Sequence, residues 1–271
     1  MYNDFYRFRE SPFNITPDPR FLFFSDKHRE AFNHILFGIR ERKGFIQITG
    51  EVGAGKTTVC RAILGELSSQ FRTALILNPL LTSAQLVRSI LIELGEKPKK
   101  LDRVGYLERL NAYLLDQATQ GNDVVLFIDE AQDLSTELLE EVRLLSNLET
   151  DQRKLLQIVL IGQPELREKL NERNLRQLRQ RITVRYHLTP LSREETERYV
   201  VHRLRVAGAT DGHPTFTPWA MWAIHRYSRG VPRLINAICD KALLYGFVNG
   251  TDHFTARRIR QAARELEGQV A

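Results

Sequence analysis

Between Gly44 and about His187 the chain alternates short apolar, β-branched runs with longer stretches whose apolar positions recur at helical spacing. Five runs have the length and composition of strands: FIQIT (45–49), TALIL (73–77), VVLFID (124–129), LQIVLIG (156–162) and ITVRYHL (182–188). Nearly all are apolar at successive positions, which suits strands covered on both faces. The intervening stretches 56–70, 83–95, 104–120 and 136–148 read as helices. In the last of them Leu139, Val142, Leu145 and Leu148 share a face, and Ser135 stands at the N-cap position. This alternation predicts an α/β fold with a parallel sheet sandwiched by helices.

After Pro190 the strand signals stop. SREETERYVVHRL opens with Ser192 and Glu195 at capping-box spacing, and Thr217 holds the same place before a further helix. FTARRIRQAARELEG ends the series, with Ile259, Ala262, Ala263 and Leu266 as its apolar face and its arginines on the wet side. The expected organisation is an α/β domain over 1–189 and a small all-helical domain over 190–271. EKPKKLDR (96–103) reads as a solvated loop.

Composition supports such a core, with 42% hydrophobic residues in a chain of 271. The 39 Lys+Arg exceed the 33 Asp+Glu for a net charge of +6, which favours polyanionic partners without requiring them. Cys60 and Cys239 lie far apart without metal-ligand spacing, so they read as small core residues of a reducing compartment. The start, MYNDFYRFRESPF, lacks the apolar core of a signal peptide, and no apolar run is long enough to cross a bilayer. A soluble cytoplasmic chain with no direct membrane insertion is expected; an anchor following Ala271 in a longer parent would lie outside this sequence.

GEVGAGKTT follows FIQIT directly, so Gly50, Gly55, Lys56 and Thr57 complete the G-x-x-x-x-G-K-[ST] pattern between a strand and a helix. The loop from Gly50 through Glu51, Val52, Gly53, Ala54 and Gly55 to Thr58 offers backbone amides and a helix dipole to phosphates. Lys56 then reaches the β- and γ-phosphates of ATP, and Thr57 holds Mg²⁺. VVLFIDE ends a later strand with two carboxylates: Asp129 fits the Mg²⁺ shell, and Glu130 fits the base that orients an attacking water. Transfer to a second substrate does not need that Glu, so the pair favours hydrolysis.

With these motifs the chain resembles, over essentially its whole length, the AAA+ ATPase superfamily. More narrowly, SPFNITPDPRFLFFS, GFIQITGEVGAGKTT, LFIDEAQDL, IGQPELREKL, LRQRI and GVPRLIN look like the ExeA/GspA family of secretion-assembly ATPases. That family is similar in turn to the MuB, TniB and TnsC transposition ATPases. The resemblance implies a catalytic polar sensor at Gln163, ending the fourth strand, and a lid arginine at Arg233 that reaches the γ-phosphate. It also implies that Asn78 restrains Glu130 and that Phe21 and Phe23 cover the adenine.

NLRQLRQRITVRY (174–186) carries four arginines and no carboxylate. The resemblance assigns one of them, Arg181, to the ATP site of a neighbouring subunit, with Arg176 and Arg179 as alternatives, which implies a homo-oligomeric ring or filament. Arg176, Arg179 and Arg185 also suit phosphate contacts on DNA, or a solvated helix face. The implied work is assembly of a secretion or pilus-type apparatus, with its proteins as partners and recruitment to the inner membrane. Two alternatives stay open: an ATP-dependent DNA-binding regulator, and a slow nucleotide switch that recruits a protein. The membrane span and peptidoglycan-binding domain that often follow in that family are not in this sequence.

Overall fold

A computed structural model describes residues 2–14, 19–77, 79–150, 153–209 and 213–266. In chain order the helices are α1 (Tyr2–Tyr6), α2 (Asp26–Arg40), α3 (Lys56–Glu66), α4 (Ser83–Glu93), α5 (Arg103–Thr119), α6 (Thr136–Leu145), α7 (Glu165–Leu170), α8 (Arg176–Arg181), α9 (Arg193–Val206), α10 (Pro218–Ser228), α11 (Pro232–Val248) and α12 (Ala256–Leu266). The strands are β1 (Phe45–Gly50), β2 (Phe71–Ile76), β3 (Asp123–Ile128), β4 (Leu156–Gly162), β5 (Ile182–Leu188), β6 (Thr215–Phe216) and β7 (His253–Phe254). The chain forms two compact units. One holds residues 29–50 and 59–188; the other holds 1–28, 51–58 and 189–271.

The first unit is built on a five-stranded sheet in the order β2-β3-β4-β1-β5, with every pair parallel. Phe45, Leu126, Ile128, Ile158 and Leu160 bury one face against Leu86, Ile90, Leu110, Leu139 and Val142 of α4, α5 and α6. The alternate residues Ile46, Ile48, Val125, Phe127, Val159 and Ile161 are equally buried. Over that second face α2 comes close enough that a Cβ on Gly38 would meet Ile46 Cδ1 at 2.9 Å. Burying each of these large side chains is worth about 1.5–3 kcal/mol, so the central strands hold their register through both faces. The edge strands differ from the sequence expectation. In β5, Thr183, Arg185 and His187 are exposed, because a strand with one neighbour keeps a wet side.

The second unit has its own core, in which Tyr199, Val200, Ile224, Ile235, Cys239, Leu243 and Ile259 pack from α9, α10, α11 and α12. The expected caps form: the side chains of Ser192 and Thr217 accept from the backbone amides of Glu195 and Ala220. Two expectations are corrected. The region after 190 is not all helical, since β6 and β7 pair in parallel and bring Phe216 and Phe254 into a stack at 4.7 Å. The N-terminal residues also pack in this unit, although a cut at 189 assigned them to the sheet domain. Tyr6, Phe8, Phe13 and Phe21 fill its core, and Arg203 donates to the carbonyls of Pro12 and Asn14 at 2.6 and 3.0 Å. Local aromatic content thus outweighs sequence proximity. Leu266, expected on the apolar face of α12, is 47% exposed. No described helix is long and apolar enough to cross a membrane.

Candidate active site

Because the sheet is parallel, β1, β3 and β4 end at one edge, with β4 between the other two. Asp129 and Glu130 follow β3, and Gln163 follows β4. Asp129 is buried, its backbone N–H donates to Ile76 O at 2.9 Å, and its Oδ1 accepts from the N–H of Glu130 at 2.9 Å. That contact turns the chain sharply, and Glu130 adopts a left-handed backbone, φ 50° and ψ 39°. A non-glycine residue held there carries strain that its surroundings must hold in place.

The Glu130 carboxylate is held by two amides. Its Oε2 accepts from Gln132 Nε2 at 2.8 Å and from Gln163 Nε2 at 3.3 Å. Gln132 Oε1 in turn accepts from the backbone N–H of Gln163 at 3.0 Å. Lys169 of α7 donates to the carbonyls of Gln132 and Leu134. The sequence expectation contains Glu130 and Gln163 but not Gln132. Its signal is its place two residues beyond Glu130, in the short turn that follows β3.

The G-x-x-x-x-G-K-T segment leaves β1 at the same edge of the sheet, and its loop and first helical turn belong to the second unit. Within that unit Gly53 (φ 76°) and Gly55 (φ 97°) both take left-handed backbone. A Cβ on Gly53 would stand 2.5 Å from Arg233 Cβ, and one on Gly55 would stand 2.6 Å from His28 Nε2. Neither position admits a side chain, so the loop presents backbone; a loop of backbone amides with a lysine beside it is the donor set a polyphosphate needs. Lys56 is buried and donates from Nζ to Glu51 O at 3.0 Å, while Thr57 and Thr58 are half-buried in the first turn of α3. Glu51 and Val52 are exposed, and Ala54 is buried.

Two residues buttress this loop. Arg233 donates from its backbone N–H to Gly53 O at 3.4 Å, and its side chain is exposed. His28, absent from the sequence expectation, lies beneath Ala54. Its Nδ1 pairs with Ser25 Oγ at 2.7 Å and its Nε2 with Ala54 O at 3.0 Å. A carbonyl can only accept, so Nε2 carries the proton and Ser25 donates to Nδ1. Burial lowers the His28 pKa, which keeps this imidazole neutral.

The arginine-rich segment is spread over several partners. Arg181, at the end of α8, donates to Ser146 Oγ at 2.8 Å within its own unit. Arg179 donates to Asn171 Oδ1 at 3.0 Å, and Arg185 to the Arg179 carbonyl at 2.6 Å. Arg176 is exposed, and its side chain makes no hydrogen bond or ion pair among the described residues. Phe21 lies under the Arg203 guanidinium at 4.5 Å, and Phe23 packs edge-on to Tyr199 at 5.8 Å, so both rings are engaged in the core of their unit. Asn78 lies outside the described residues. Cys60 and Cys239 are buried free thiols. No group of three or more His, Cys, Asp or Glu side chains among the described residues is arranged to hold a metal ion. Mg²⁺ that binds with a nucleotide takes one or two oxygens from protein and the rest from phosphate and water, so it needs no such group.

A family profile described as an AAA domain matches residues 39–170. General secretion pathway protein A of Aeromonas hydrophila is 46% identical over 269 residues, which is 99% of this chain and 49% of that protein. The chain thus spans about half the length of the curated relative it matches. Among solved structures, Cdc6p of Pyrobaculum aerophilum superposes with a TM-score of 0.72 at 17% identity, over 94% of this chain and 70% of that one. The ORC2 protein of Aeropyrum pernix, in ADPNP–ADP complexes, gives 0.67 at 17% identity over 95% and 72%. Drosophila ORC bound to DNA gives 0.71 at 19% identity over 98% and 66%. At such identities these show the fold alone. Fold and motifs together define a P-loop protein of the AAA+ class. Within that class, the chain is similar over 99% of its length to general secretion pathway protein A.

Proposed function

We propose that this chain binds ATP with Mg²⁺, hydrolyses it to ADP and phosphate, and couples hydrolysis to assembly of a secretion or pilus-type apparatus. The observation that carries the catalytic half is the Glu130 carboxylate, held by Gln132 and Gln163 at the strand edge where the phosphate-loop motif begins.

The loop amides of Gly50–Thr58 and the Lys56 ammonium receive the phosphates. Thr57 and Asp129 hold the metal ion, which when bound neutralises charge on the transferred phosphoryl. Glu130 orients the water and accepts its proton, while Gln163 donates toward the same reacting region. Arg233 senses the γ-phosphate from the helical unit. Arg181, or else Arg176 or Arg179, completes the site of a neighbouring subunit in a ring or filament, stabilising charge on the transferred phosphate.

The secretion half rests on the 46% identity to general secretion pathway protein A. Because the chain matches 49% of that relative's length, the partner proteins and recruitment to the inner membrane belong to this proposal as well. A second reading, an ATP-dependent duplex-DNA regulator, is favoured by the exposed Arg176 and the net charge of +6.

The test is ATPase activity per subunit as protein concentration rises, with and without duplex DNA. Activity that climbs with concentration and ignores DNA supports self-assembly with shared sites. A climb that requires DNA, with a steep salt dependence, replaces the secretion reading with the DNA reading. Turnover well below about 1 s⁻¹ under every condition favours a nucleotide switch that recruits a protein.

A further inference from the structure

We infer that Gln132 is a positioning residue for hydrolysis, one that sets the orientation of the Glu130 carboxylate and ties it to the backbone at the end of β4. The inference rests on the ATPase reading and deepens it.

Three observations converge on this side chain. First, both ends of its amide are used, and they cannot be exchanged: Nε2 donates to Glu130 Oε2 at 2.8 Å, and Oε1 accepts from the N–H of Gln163 at 3.0 Å. A carboxylate needs a donor and an N–H needs an acceptor, so the amide has one productive orientation. Second, its main chain is fastened by Lys169 Nζ, 3.0 Å from Gln132 O. Third, β4 makes room for it, because a Cβ on Gly162 would lie 2.9 Å from Gln132 Oε1.

The consequence falls on Glu130. Its backbone is left-handed at φ 50°, so the side chain starts from a strained turn and needs an external hold. Gln132 supplies the shorter of the two amide contacts to Oε2, and Gln163 the longer, at 2.8 and 3.3 Å. Both contacts fall on Oε2, and no described residue hydrogen-bonds Oε1. Gln132 thereby fixes which carboxylate oxygen is occupied and which one works. It also joins the residue after β3 to the residue after β4, so a shift at Gln163 is felt at Glu130.

The experiment uses the full chain and two near-isosteric variants. Gln132→Glu keeps an acceptor for the Gln163 N–H and replaces the donor to Glu130 with a second carboxylate. Gln132→Met removes both polar ends and retains the length. Single-turnover ATP hydrolysis, affinity for a fluorescent ATP analogue and the thermal midpoint are measured for each. The expected result is a fall in kcat of about 10–100-fold, with analogue affinity and thermal midpoint at the wild-type level, since the loss is one of alignment. In a Glu130→Gln background the same substitutions are expected to add no further loss, because Gln132 acts through that carboxylate. Wild-type kcat in both variants overturns the inference. So does a loss of kcat matched by losses of affinity and thermal stability, or one that persists undiminished in the Glu130→Gln background. An unsubstituted chain that binds ATP without hydrolysing it fails one step earlier, and overturns the ATPase reading together with this one.

Discussion

His28 Nε2 donates to the carbonyl oxygen of Ala54 across 3.0 Å, so a buried imidazole props the phosphate loop from below. Its other nitrogen is fixed by Ser25 Oγ at 2.7 Å, and a Cβ on Gly55 would collide with the ring. Removing the ring leaves the Ala54 carbonyl without this donor and opens space under the loop. His28→Ala is expected to cost about 1–3 kcal/mol of stability and to weaken nucleotide binding. Urea unfolding and nucleotide titration check this; wild-type affinity would show that the loop holds its shape alone.

The same histidine gives stability a pH dependence of known sign. Burial lowers its folded pKa below the ordinary 6.5, although Glu195 and the Ala54 carbonyl pull the other way. As pH falls through 6.5 the unfolded chain takes up the proton first. Stability is therefore full above that pH and declines below it, toward the folded value. His28→Gln keeps a donor and does not titrate, so it is expected to flatten part of this decline. His202 and His225, also lowered by burial, contribute with the same sign. Urea midpoints in mildly acidic and mildly basic buffer measure the difference; an unchanged slope in His28→Gln would assign the effect to those two.

At Gly55 the backbone sits at φ 97°, and a new Cβ would stand 2.6 Å from His28 Nε2. Gly55→Ala meets both the strain and the clash, for an expected loss of about 1–3 kcal/mol at that turn. ADP affinity should fall with it, because the amides that face the phosphates move. Thermal melting and calorimetric titration read the two effects separately.

The motifs and the sheet were legible for different reasons. β1, β3 and β4 are buried on both faces, so their runs stand out as apolar, and the strand-to-helix change at Lys56 marks the loop. The short β6 and β7 carry no such signal, since Thr215–Phe216 and His253–Phe254 are too brief to show a period. α2 lies before Gly44, where the expected alternation begins, and falls outside the sequence expectation, although Ala31, Ile35 and Ile39 are buried along it at helical spacing. His28 and Gln132 escape sequence reasoning because a lone polar side chain acquires its meaning from what folds against it. For Gln132 that partner is 31 positions away, at Gln163.

Lys56→Ala and Glu130→Gln separate binding from chemistry. The first removes the ammonium beside the loop and is expected to abolish nucleotide binding. The second keeps the shape of Glu130 and removes its basicity, so ATP should bind while turnover falls about 10²–10⁴-fold. Filter binding and phosphate release measure the two. Normal hydrolysis by Glu130→Gln would sink the assignment of the base.

The arginine assignment has a test that does not depend on any single subunit's stability. Arg181 is bonded to Ser146 at 2.8 Å in its own unit, whereas Arg176 is exposed and its side chain has no hydrogen bond or ion pair among the described residues. If either serves a neighbour's site, its alanine variant should bind ATP and hydrolyse poorly. Mixing that variant with Lys56→Ala should then restore activity. A Lys56→Ala subunit supplies the arginine, and its neighbour supplies an intact phosphate loop. Recovery with Arg176→Ala but not with Arg181→Ala would give the Ser146 bond a structural role and make Arg176 the trans residue. The reverse would mean that Arg181 leaves Ser146 on assembly. No recovery at any mixing ratio, for either variant, would remove the shared site and with it the case for a ring or filament.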